Sequence, residues 1–116
     1  MSEAPQAKAA SSDELIARYA KSKDLRSLCL RDGQYNGVQI HKACLDGMDL
    51  HRTVFQDADL SYAHLVGAMA VRSILTKAKF VGADLRNADL RDAQLNSADL
   101  TEADVRGCSF TPQSNR

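Results

Sequence analysis

The chain has 116 residues, fifteen Lys and Arg balanced by fifteen Asp and Glu, and is 44% hydrophobic but only 5% aromatic, without Trp. That length bounds it to one domain, just able to bury its own core, and the shortage of aromatics points to an interior filled by small, regular residues. Zero net charge argues against a nucleic-acid binder, which shows a basic excess, and against a whole-chain mimic of DNA, which needs an acidic one.

The three cysteines, Cys29, Cys44 and Cys108, are odd in number and lack paired spacing. They read as reduced thiols of a cytoplasmic protein rather than as a disulfide framework. The opening residues hold no apolar signal core, and no run approaches the ~18 apolar residues of a membrane span.

In chain order, residues 1–12 read as a disordered, Ala/Ser-rich tail. Ser11 and Glu14 stand at capping-box spacing, so residues 13–22 read as one short helix. Leu15, Ile16 and Tyr19 are expected on one side of it, making it a lid over the next element. From residue 23 to residue 112 the sequence has a period of five, and residues 113–116 form a short C-terminal tail. Stepping by five from Leu25 to Phe110 gives eighteen positions, of which Ala70 alone is not a large apolar residue. Two residues before these centres stand Ala43, Ala58, Ala63, Ala83, Ala88 and further small residues, with drift at Lys23, Leu28, Gly33, Val38, Met48 and Thr53.

Period five fits neither a helix of 3.6 residues per turn nor a strand that alternates every two. It calls for a chain that turns every five residues and points a small residue (i−2) and a large one (i) inward each time. The recurring motif is Ala-Asp-Leu, as at Ala83-Asp84-Leu85, Ala88-Asp89-Leu90 and Ala98-Asp99-Leu100. This closely resembles the pentapeptide-repeat family over residues 23–112. The resemblance implies an all-β fold, a right-handed quadrilateral β-helix with four repeats per coil, here about 4.5 coils behind a short N-terminal capping α-helix. The segment Asp13–Ala20 is similar to the opening of many bacterial members, and some members pair through their C-terminal ends. A homodimer through the last coil, after which Pro112 stops further pairing, is therefore an expectation.

If four repeats make a coil, residues twenty apart stack in ladders. The faces centred on Leu25 and Leu30 carry alternating Asp and Arg and read as solvated surface. The face centred on Tyr35, Phe55, Leu75 and Leu95 differs. Its i−1 row is Gln34, Val54, Ile74 and Gln94, and its i+1 row is Asn36, Gln56, Thr76 and Asn96, with no charge in either. Val66, Met69 and Val71 lie on neighbouring faces of the same middle coils. Apolar groups amid depleted charge mark an interface core, so Val54, Gln56, Val66, Met69, Val71, Ile74, Thr76 and Gln94 are the expected protein-contact residues.

No Gly-rich phosphate loop, Walker motif, C-x-x-C or G-x-S-x-G occurs, so no catalytic residue and no cofactor is assigned. Cys44 and His64 would stack with Asp24 and Asp84, and His41 lies nearby; they read as solvated ladder positions, with no metal assigned. The expected function is a non-enzymatic scaffold or adaptor binding another protein, as a free partner or as a subunit or linker of a larger assembly. The alternative that the resemblance implies is a DNA-mimicking partner of a topoisomerase, gyrase.

Overall fold

The structure, a computed structural model, describes residues 8–111. Its repeating event is a corner. In each pentapeptide the amide at i+3 donates to the carbonyl at i, as from Ala63 to Leu60 (3.0 Å) and from Ala88 to Leu85 (3.0 Å). The third residue of each such turn, from Asp32 through Gly107, has φ between 55° and 77°. A positive φ at that position is what a type II turn requires. Eleven of these corner residues are not glycine, and each bears the roughly 1–2 kcal/mol cost of a left-handed backbone. The corner amide offsets part of that cost by donating to the following coil, as Arg52 does to Val71 (3.0 Å) and Lys77 to Asn96 (2.9 Å).

Between corners the backbone is extended, and parallel bridges join residues twenty apart. One ladder runs Gln34, Val54, Ile74, Gln94; another runs Asp24, Cys44, His64, Asp84, Asp104. At the C-terminal side the pairing lengthens into β1 (Asp89–Leu90) and β2 (Ser109–Phe110), with Asp89 opposite Ser109 and Leu90 opposite Phe110. Four pentapeptides thus complete one circuit of a β-helix.

The two inward rows fill the interior. Leu25, Ile40, Leu45, Phe55, Leu60 and Phe80 are buried, as are Ala43, Ala58, Ala63, Ala78 and Ala83. The drifting positions are absorbed locally. Thr53 and Ser73, fully buried, donate their hydroxyls to the Leu50 and Ala70 carbonyls at 2.9 and 2.7 Å. Gly33 is matched to Tyr35: a Cβ on Gly33 would lie 2.0 Å from the Tyr35 hydroxyl. The tyrosine, larger than leucine, occupies the volume that the glycine gives up. Its hydroxyl donates to the Ala10 carbonyl at 2.7 Å, and burial pushes its pKa up to about 12. A void among Phe55, Leu60, Ala70 and Phe80 measures about 10 Å³, at the lower limit for a single water.

Over the first coil lies α1 (Ser12–Lys21). Its capping box is complete, with Glu14 N–H donating to Ser11 Oγ (3.1 Å) and Ser11 N–H donating to Glu14 Oε1 (2.8 Å). Leu15 is fully buried against the core, and Tyr19 donates its hydroxyl to the His41 carbonyl at 2.8 Å. The expectation that Ile16 joins them is corrected: it is 48% exposed. At 3.6 residues per turn Ile16 lies about 100° round from Leu15, too far to reach a lid contact this narrow. The expected disorder over residues 1–12 is corrected in part, because Ala10 N–H donates to the Cys29 carbonyl (2.7 Å) and extends the ladder. The rest of that tail, residues 1–7, and the C-terminal stretch 112–116, with the stop expected at Pro112, lie outside the described residues.

Candidate protein-interaction face

The side chain at i−1 has a structural task. Asp84, Asp89 and Asp104 each accept from the amide two residues on at 3.2 Å, and Asp59 and Asp99 do so at 3.0 Å. A carboxylate clamping the turn it opens is an Asx turn. Where arginine follows, the same carboxylate holds it in a two-pronged fork, with Arg86, Arg91 and Arg106 at 2.6–2.9 Å. The arginine bond, then the amide bond, holds the Asp104 carboxyl down at about 2, and the same pair of contacts at Arg26 does this for Asp24. These exposed pairs are worth little each in stability. They neutralise two faces of the rod.

Val54, Met69 and Ile74 occupy the same position in their repeats and cannot make that clamp. Val54 and Ile74 are bridged to one another through the backbone, and both are half-buried. Their backbone is fixed to the preceding coil: Val54 N–H donates to the Gly33 carbonyl (2.9 Å), and Ile74 N–H to the Thr53 carbonyl (2.8 Å). Gln56 and Gln94 are exposed on the same face, with Thr76 half-buried between them. The face is uncharged along its flat part. Its corner row, however, carries exposed Asp57 and Lys77, so the neutral strip is one flat wide and charged at its margin.

Not all the expected contact residues share that flat. Met69, 40% exposed, belongs to the next ladder, bridged to Asp49 and Asp89. Val71 follows it on the same side. Val66 is one ladder further round, next to His64, and its amide N–H donates to Asp46 Oδ1 at 2.8 Å. The structure therefore gathers Val54, Gln56, Ile74, Thr76 and Gln94 on one flat, and sets Val66, Met69 and Val71 round the rod in the same circuit.

The sequence reasoning missed Tyr62. It is 52% exposed, at a corner with φ 60°, and its ring lies over Gly82 in the next coil, where a Cβ would come within 2.5 Å of it. The signal was available: an aromatic at the polar i+2 position with glycine twenty residues later. With Tyr62, the apolar groups of this circuit form a belt around the rod.

Cys44 and His64 are adjacent in their ladder, between Asp24 and Asp84. Among the described residues no group of three or more His, Cys, Asp or Glu side chains is placed to hold a metal ion. No helix among them is long and apolar enough to cross a membrane.

Residues 36–68 and 73–111, more than half the chain, match the model for pentapeptide repeats in eight copies. The chain belongs to the pentapeptide-repeat family. Its β-helix is accordingly the right-handed one of that family. A pentapeptide-repeat protein from the cyanobacterium Cyanothece 51142 is 25% identical, with 68% of this chain and 60% of that one covered and a TM-score of 0.42. One from the Arabidopsis thaliana thylakoid lumen is 27% identical, covering 66% and 57%, also at 0.42. One from Nostoc is 24% identical, covering 91% and 100%, at 0.45. The chain thus spans a little under two thirds of the first two relatives. No curated protein sequence matches it.

Proposed function

We propose that this pentapeptide-repeat chain is a non-enzymatic scaffold that binds another protein through the flat carrying Val54 and Ile74. One observation carries the reading. At these positions the repeat gives up the carboxylate clamp that stabilises its own turns and presents apolar side chains in its place. A departure from a local rule that costs stability points to selection for something other than the fold. The circuit is charge-depleted and apolar, flanked by coils rich in forked Asp–Arg pairs, which is the composition of an interface core within a polar rim. The solid interior leaves no room for a substrate. Permanent subunit, linker and transient adaptor all use such a surface in the same way.

The test exploits the repeat itself. Asp is the residue the motif supplies at these positions, so Val54→Asp/Ile74→Asp should fold at least as well as the parent. In a pull-down against the parent chain, the partner should be lost while the melting temperature holds or rises. An unchanged partner list with intact melting would discard this face. The alternative, a DNA-mimicking partner of gyrase, needs rows of unneutralised carboxylate, whereas Asp84, Asp89 and Asp104 are each held by arginine. A gyrase supercoiling assay separates the two readings.

A further inference from the structure

The carboxylate at i−1 also settles a backbone account. Of the five amides in residues 58–62, four donate within the turn or to a neighbouring coil, and the fifth, Ser61 N–H, donates to Asp59 Oδ1 at 3.0 Å. The amide at i+1 is thus the donor that an interior repeat does not satisfy through its own backbone. Where i−1 is not Asp, that amide is left open. Among the described residues Gln56, Val71, Thr76 and Val81 N–H have no acceptor. Val66 is the exception: its own i−1 residue is His64, and Asp46 of the preceding coil accepts its N–H at 2.8 Å. A carboxylate from outside the repeat therefore fits this position.

The open amides of Val71 and Thr76 lie in a circuit without acid. Between Asp59 and Asp84 the sequence has Arg72, Lys77 and Lys79 but no Asp or Glu. Lys79 stands between Asp59 and Asp99 in its ladder, and they offset it. Arg72 and Lys77 are exposed at the two corners that bound the Ile74 flat, and among the described residues neither has an ion pair. Arg52, one coil before Arg72, is already held by Asp32 at 2.6 Å. Two exposed carboxylates stand in the adjoining coils, Asp57 one coil before Lys77 and Asp92 one coil after Arg72. They confine the positive strip to a single coil.

We infer that the partner docks an acidic segment on this coil. Its Asp or Glu carboxylates accept from Thr76 and Val71 N–H, as Asp46 does from Val66, and lie between Arg72 and Lys77. Apolar side chains of the same segment pack on Met69, Val71 and Ile74. Each carboxylate takes the place of a missing motif Asp, and its bond to the amide is charge-assisted. The apolar groups beside the donors favour a protein carboxylate over the phosphates of a nucleic acid, whose contacts are polar and basic. The inference rests on the scaffold proposal and adds what the partner must carry.

NMR titration of the isotope-labelled full chain with a short peptide of alternating glutamate and leucine tests it. The Val71 and Thr76 amides should move downfield, while Ser61, already bonded to Asp59, stays in place. The glutamine counterpart of the peptide should bind about tenfold more weakly, the loss expected for one charge-assisted hydrogen bond. Arg72→Gln/Lys77→Gln should weaken the glutamate peptide in the same direction. Ile74→Asp restores the motif carboxylate in cis, so it should hold Thr76 N–H itself and abolish the shift there at an unchanged melting temperature. Equal binding of the two peptides overturns the acidic partner, as does a glutamate peptide that moves neither amide or that binds Ile74→Asp undiminished. A short thymidine oligonucleotide that moves these amides in place of the peptide overturns it in favour of phosphate. None of these outcomes decides the scaffold reading, which the pull-down of Val54→Asp/Ile74→Asp judges separately.

Discussion

Leu25 and Val105 stand in the same ladder at the same repeat position, yet Leu25 is fully buried and Val105 is 40% exposed. Both point inward. What differs is the neighbour: Leu25 has α1 on one side and a coil on the other, whereas Val105, among the described residues, has a coil on one side only. Direction is set by the five-residue pattern, burial by what stacks above and below. In a solenoid, therefore, the stabilisation from a core residue depends on its place along the axis more than on its place in the motif.

The comparison is broken most strongly at the two residues themselves. Leu25→Ala should cost about 2–5 kcal/mol, because it opens a cavity between two packed layers. Val105→Ala should cost less than about 1 kcal/mol, because its side chain is already partly hydrated. Urea unfolding of the two variants reads the difference, and equal losses would mean that the last coil is covered in solution. Next in size is Gly33→Ala. The new methyl must displace the Tyr35 hydroxyl, which releases Ala10 and loosens the cap at a cost of roughly 1–3 kcal/mol. Hydrogen exchange should quicken at Ala10 and Leu15 while the amides of Ala83 and Asp84 stay protected.

The smallest effect sharpens the comparison by showing where the ends agree. Asp24 near the cap and Asp104 in the open coil both have carboxyls held at about 2 by their arginine, below the ordinary value of 3.8. A depressed carboxyl supports the fold above its unfolded pKa, and that support is lost as pH falls through the folded one. The contribution should be intact above about pH 4 and fade toward pH 2, with both carbons titrating together by NMR. A large gap between them would mean that these local forks feel the state of the nearest end.

Much of this was legible in the sequence because it is linear. The five-residue phase fixes which side chains enter the core, the twenty-residue ladders follow from four repeats per coil, and Ser11 and Glu14 announce their reciprocal bonds. What was not legible depends on volumes and angles across coils. Gly33 looked like drift until Tyr35 was seen filling its space. Ile16 looked like a lid residue because a helical stripe gives no width, and here the contact is one residue wide. Tyr62 was overlooked because only the i−1 and i+1 rows of each face were read, although its ring needed only the absent Cβ of Gly82. The neutral flat was legible from its two rows, but not its charged margin, since Asp57 and Lys77 occupy the corner row that was left out.

The twenty-residue hydrogen-bond register has a consequence for how such a chain can change length. Insertion or loss of one pentapeptide keeps every inward residue inward and every corner a corner, so the fold survives. All residues beyond it, however, move a quarter turn round the rod, and Ile74 no longer stands over Val54. Twenty residues added or removed restore the alignment of the flats. The architecture therefore counts in fives and any surface built across coils counts in twenties, so length variants of this rod should separate into those that merely fold and those that also keep a continuous face.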